Sequence, residues 1–148
     1  MFKFRFRRLS NPRSIAKAVK QIVLDEEHYD QHLWMSRAFF YDVRDDIATG
    51  TELRNIANQN VCGTTACVAG NVVILTIGAK DKYDYPRDKV VFANGESEDV
   101  LDYAQVKLGL TYRQASWLFE SYRTREEVLA ALDLLEKGKS IDGLLTFW

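Results

Sequence analysis

The sequence predicts an α+β fold: a mainly helical single domain with a buried central helix and a small two-stranded sheet. Three observations predict it. Residues 61–79, VCGTTACVAGNVVILTIGA, run for nineteen residues without a charge in a chain that is 28% Asp, Glu, Lys and Arg, so they belong inside. The last third repeats a cap, an amphipathic stripe and a glycine stop, the grammar of consecutive helices. Two short stretches, 2–7 and 89–93, carry strand patterning. At 148 residues and 47% apolar content, one core of ordinary size suffices without staples.

The elements follow in order. Phe2, Phe4 and Phe6 alternate with Lys3, Arg5 and Arg7, a period of two that predicts an edge strand with an aromatic and a basic face. Asn11 before Pro12 starts a helix whose stripe of Ile15, Ala18, Val19 and Ile22 runs to about Leu24. Leu33, Trp34, Phe39, Phe40, Val43 and Ile47 suit one helix ending near Gly50, and Thr51 then caps a turn holding Leu53 and Ile56. Residues 61–78 form the buried helix, with Thr64 or Thr65 as cap. Its Gly63, Ala66, Cys67 and Gly70 recur at i, i+3, i+4 and i+7, a stripe almost without side chains where a neighbour can come close. Residues 89–93 with Asn94 and Gly95 predict a strand and tight turn, paired with the N-terminal strand.

Ser97 then caps a helix carrying Val100, Leu101, Ala104 and Leu108, which Gly109 stops. Thr111 caps the next, with the stripe Ala115, Leu118, Phe119 and Tyr122. Thr124 and Glu127 form a capping box before Val128, Leu132 and Leu135, Gly138 ends that helix, and Ser140 opens a last apolar turn reaching Trp148.

Composition excludes several classes. The first ten residues lack a signal-peptide pattern, and the neutral run holds Asn71, two threonines directly after Gly63 and three glycines without cationic anchors, so a cytoplasmic protein, not a membrane one, is expected. Two cysteines make no disulfide framework. Net charge is −1 but uneven: residues 1–20 carry seven cations and no acid, leaving 13 basic against 21 acidic groups elsewhere. Such a positive pole suits an anionic partner, or pairing with the protein's own acidic body.

Two motifs stand together: CGTTACVAG at residues 62–70 and LGLTYRQASWLF at residues 108–119. They resemble a group of small bacteriophage and mobile-element proteins of unassigned function, in which a CGTxxCxAG helix precedes an LGLTxxxAxxLF segment. Tyr29, Asp30 and Trp34 are similar to that group's upstream aromatic and Trp pair, although the 27 residues between Trp34 and Cys62 make a longer spacing. The resemblance implies a phage-type accessory protein in a host-defence or host-takeover context, and implies no activity, cofactor or catalytic residue.

Four sites are chemically conceivable. His28 and His32 at i, i+4 with Cys62 and Cys67 would complete a zinc set, against which a packed pair of buried thiols is the favoured account. Cys62 before a helix start, with a histidine base and Asp30 behind it, would make a nucleophile, but two histidines give no specificity. The N–H groups and hydroxyls of Gly63, Thr64 and Thr65 can cradle an anion, with Arg5 or Arg7 adding charge and Trp34 stacking on a base; the plainer account is that the threonines cap the helix. The KFRFRR arm can grip nucleic acid, but a pI near 6.1 disfavours it.

The expected function is therefore binding without catalysis or cofactor: sequestration of a small anionic, nucleotide-like ligand. An inhibitor that binds a host protein through an apolar surface is the first alternative, and a small cysteine-dependent or zinc enzyme the second. A homo-oligomer stays open.

Overall fold

The computed structural model describes residues 9–25, 29–31, 47–53, 67–84 and 87–145. Helix α1 (Pro12–Leu24) begins as its sequence demands: the Asn11 side-chain oxygen accepts from the N–H groups of Arg13 (2.9 Å) and Ser14 (3.4 Å), and Pro12 occupies the first turn, where an N–H is not needed. Its inward face, Ile15, Ala16, Val19, Ile22 and Val23, is buried. That face packs on α2 (Val68–Thr76) and on α5 (Arg125–Glu136).

The central helix is α2. All nine of its residues are buried, and it lies between α1 and α3 (Val100–Lys107). Burial forces its polar groups to pair: Thr76 Oγ1 donates to Val72 O at 2.6 Å and lies 2.7 Å from the Tyr103 hydroxyl. The threonine has one proton and has spent it, so Tyr103 is the donor in the second bond. Helix α2 starts later than the sequence suggests, at Val68, with Cys67 and not Thr64 or Thr65 as its cap.

The sheet is larger than expected and differently paired. Strands β1 (Ile47–Thr49), β2 (Lys82–Asp84), β3 (Lys89–Val91) and β4 (Ser97–Asp99) form a four-stranded antiparallel sheet in the order β1-β2-β3-β4. Because β2 and β4 occupy both edges of β3, the expected pairing of residues 89–93 with the N-terminal strand does not hold; residues 1–8 lie outside the described residues. Ile47 belongs to a ladder with Asp84, not to a helix, and Ser97 pairs with Val91 in place of capping α3. Tyr83 and Val90 lie opposite each other and are fully buried, which fixes the inner face. Gly95, at φ +90°, turns β3 into β4, a conformation that glycine tolerates. After β1, residues 50–53 make a helical turn in which Thr49 Oγ1 accepts from Glu52 N (3.2 Å), so Thr49 and not Thr51 is the cap.

The C-terminal helices follow their caps. Gly109 (φ +67°) ends α3, and α4 (Tyr112–Leu118) opens on a capping box of Thr111 and Gln114. Thr124 and Glu127 make a second box at α5, which Gly138 (φ +73°) ends before a 3-10 turn (Asp142–Leu145). Thr124→Ala is expected to lower stability by about 1 kcal/mol, checked by urea denaturation. An unchanged midpoint would show that α5 is held by packing alone.

Candidate functional site

Two places stand out: the start of α2 and the outer face of α3 and α4. At the first, Cys67 is extended (φ −71°, ψ −178°), and its Sγ accepts from Gly70 N at 3.5 Å. Its carbonyl oxygen takes both the N–H and the side-chain amide of Asn71, each at 3.0 Å. Gln31, 8% exposed, closes the remainder. Its Oε1 accepts from Val68 N (3.5 Å) and from the Tyr29 hydroxyl (3.1 Å), while its Nε2 donates to Leu118 O (2.8 Å) and Glu120 O (2.9 Å). One amide thus ties the start of the central helix to the end of α4. At the start of α2 the N–H groups of Val68 and Gly70 are thus aimed at protein atoms in a closed interior.

The chemistry of Cys67 follows from the same burial. Loss of water around the thiol pushes its pKa up to about 11 from an ordinary 9.0, against the opposing pull of the Gly70 and Ala69 N–H groups. A thiol kept protonated is neither a nucleophile nor a good metal ligand at neutral pH. Because the folded pKa is raised, the resulting stability is whole below pH 9 and is lost as pH rises through 11. Tyr29, raised chiefly by burial and then by the neighbouring Cys67 charge, acts in the same sense. The urea midpoint is therefore expected to fall between pH 9 and 11, with about 2–3 kcal/mol at stake for the thiol. Cys67→Ser, which keeps a capping oxygen that does not titrate, should flatten that fall.

Of the residues expected to form a site, Gly63, Thr64, Thr65, Arg5, Arg7, Trp34, His28, His32 and Cys62 lie outside the described residues. The small-residue stripe is corrected at the two positions that are described. Cys67 precedes the helix and meets Gly70 by turning its sulfur back, not by sharing a helical face. The first turn of the buried helix is correspondingly Val68, Ala69 and Gly70, not Gly63 to Thr65. Among the described residues no cluster of three or more His, Cys, Asp or Glu side chains could hold a metal ion, and no helix is long and apolar enough to cross a membrane.

The basic pole is partly spent within the fold. Lys20 Nζ reaches Asp133 (3.0 Å) and Glu136 (3.1 Å) on α5, which raises its pKa, and Arg13 Nε donates to Glu136 O at 3.0 Å. These contacts place cations against the C-terminal end of α5, where carbonyl groups accumulate negative potential.

The second place was not expected. Between α3 and α4 lies an open groove of about 320 Å³, with Leu101, Ala115 and Phe119 on its apolar walls and Tyr112 beside them. Leu101 is 42% exposed and Tyr112 75%. Among the described residues its charged lining residues are both carboxylates, Asp102 and Glu120. Glu120 takes a hydrogen bond from the Tyr122 hydroxyl, and that bond and its charge raise the phenol pKa. Neighbouring cations turn elsewhere: Lys107 over the Tyr103 ring (5.3 Å), Arg113 to Leu145 O (3.3 Å), and Arg123 over Trp117 (4.1 Å) and onto Glu127 (3.0 Å).

Helical spacing puts Leu101 and Tyr122 on core stripes, and the structure turns both outward. The signal was present but easily passed over. Val100 and Leu101 are adjacent, about 100° apart on a helix, so a stripe of Val100, Ala104 and Leu108 leaves Leu101 and Gln105 on a separate face. No family model, curated protein or solved structure matches the chain.

Proposed function

We propose that this protein acts by binding, without catalysis, and that it engages a protein partner through the groove between α3 and α4. One observation carries the reading: exposed Leu101 and Tyr112 flank a concave apolar surface bordered by carboxylates. Exposed aromatic and aliphatic patches with a polar rim mark protein-binding surfaces. In the phage-type setting that the two motifs imply, the partner is a host protein. The N–H groups of Val68 and Gly70 at the start of α2 already have side-chain acceptors, while the small-anion site expected at Gly63 to Thr65 lies outside the described residues.

Two helices joined by a glycine-containing turn are also a device with which proteins read DNA, but Asp102 and Glu120 on this face would repel a phosphate backbone. The test is co-purification from the native host with wild type and Leu101→Arg. That residue is solvent-exposed, so its replacement should change stability by no more than about 0.5 kcal/mol. A stoichiometric partner is expected with wild type and should be lost with the variant. Equal recovery with both would refute the groove as the binding surface.

A further inference from the structure

Resting on that reading, we infer that the occupant of the groove is a cationic amphipathic helix. Among the described residues the walls come from two helices and the residues that follow α4, with no strand edge among them, so an extended peptide would find no ladder of backbone partners there. A helix needs none, since it satisfies its own backbone and offers only side chains. The groove, about 320 Å³, is at the low end of the roughly 300–1,000 Å³ typical of ligand pockets, room for anchor side chains rather than a whole cofactor. Charge fixes the remainder. Asp102 and Glu120 border the apolar walls, and among the described residues the cations Lys107, Arg113 and Arg123 of this region make contacts within the protein. An incoming helix with acidic flanks would meet uncompensated repulsion; one with Lys or Arg beside its apolar stripe would find partners on this rim.

The probes are fluorescein-labelled designed helical peptides of about 18 residues, long enough to fold alone. They share one Leu/Phe stripe and carry Arg, Gln or Glu on the flanks, and binding to the full chain is read by anisotropy at physiological salt. The Arg peptide should bind at least tenfold more tightly than the Gln peptide, and the Glu peptide should not bind. Asp102→Asn and Glu120→Gln, which preserve shape, should each weaken the Arg peptide about two- to fivefold. Glu126→Gln, an equal charge change on α5, should leave it unaffected, and Leu101→Arg should abolish binding.

Equal affinity for Arg and Gln peptides, unaffected by Asp102→Asn and Glu120→Gln but lost with Leu101→Arg, would overturn the cationic partner and leave the groove reading intact. Failure of every peptide would overturn the helical partner, and the host co-purification would then judge the groove separately. Binding of a labelled random DNA duplex to the chain itself, competed by the uncharged Gln peptide, would overturn the inference in favour of nucleic acid.

Discussion

Gly50→Ala is expected to destabilise the fold by about 3 kcal/mol or more, the upper part of the range for overpacking, because the added methyl group has nowhere to go. A Cβ at this position would overlap the Gly78 carbonyl oxygen and lie 2.8 Å from the Gly78 carbonyl carbon. Both are backbone atoms, so no rotamer change relieves them. Nor can the corner slide: Gly50 N donates to Asp81 O at 2.8 Å, Thr51 Oγ1 donates to Ala79 O at 3.3 Å, and Asp81 Oδ2 accepts from Gly78 N at 3.1 Å. The contact joins the end of β1 to the loop leaving the central helix. At roughly 2–4 °C per kcal/mol for a chain of this size, Tm should fall by about 10 °C. Gly143→Ala, where nothing lies within 4 Å, is the control and should shift Tm little.

Gln31→Leu is the second large effect. Its side-chain volume is nearly conserved, so the loss reports hydrogen bonding and not a cavity. Leu118 O and Glu120 O would lose the amide, and Val68 N its acceptor, in a region largely closed to water. At about 1–3 kcal/mol for each buried polar group left unpaired, a total near 3 kcal/mol is expected by urea denaturation, with Tyr29 also losing its acceptor. Gln31→Glu would keep the acceptor oxygen but lose the amide protons, and should be comparably destabilising. A loss under 1 kcal/mol for the leucine variant would mean that the bridge is replaceable by water.

What the sequence showed of the fold divides along a physical line. Helix α5 was legible at both ends because its cap, its Glu127 partner and its Gly138 stop lie within local reach of one another. The burial of α2 was legible because a charge-free run has nowhere else to go. Its start was not, since Thr64, Thr65 and Cys67 can all cap a helix and the choice involves Gln31, 37 positions before Val68. The sheet was hidden for a related reason. Strands as short as KYD and SED carry too few residues for a period of two, and their identity comes from neighbours across the ladder.

The candidate site was less legible than the fold. An apolar side chain at helical spacing is usually buried, which makes Leu101 and Tyr122 look like core residues, and only the packing of α3 reveals which of two adjacent apolar positions faces in. The burial of Cys67 as a packed thiol is visible from its neutral surroundings. Its second role, accepting the Gly70 N–H, depends on the extended backbone that starts the helix.

Whether a partner protein sits on α3 and α4 can be read by placing a photo-crosslinking phenylalanine at position 112 and, separately, at position 80, both solvent-exposed, in protein expressed in its native host. One discrete protein adduct is expected from position 112, absent from position 80 and abolished by Leu101→Arg. An adduct from position 80 but none from 112 would contradict it.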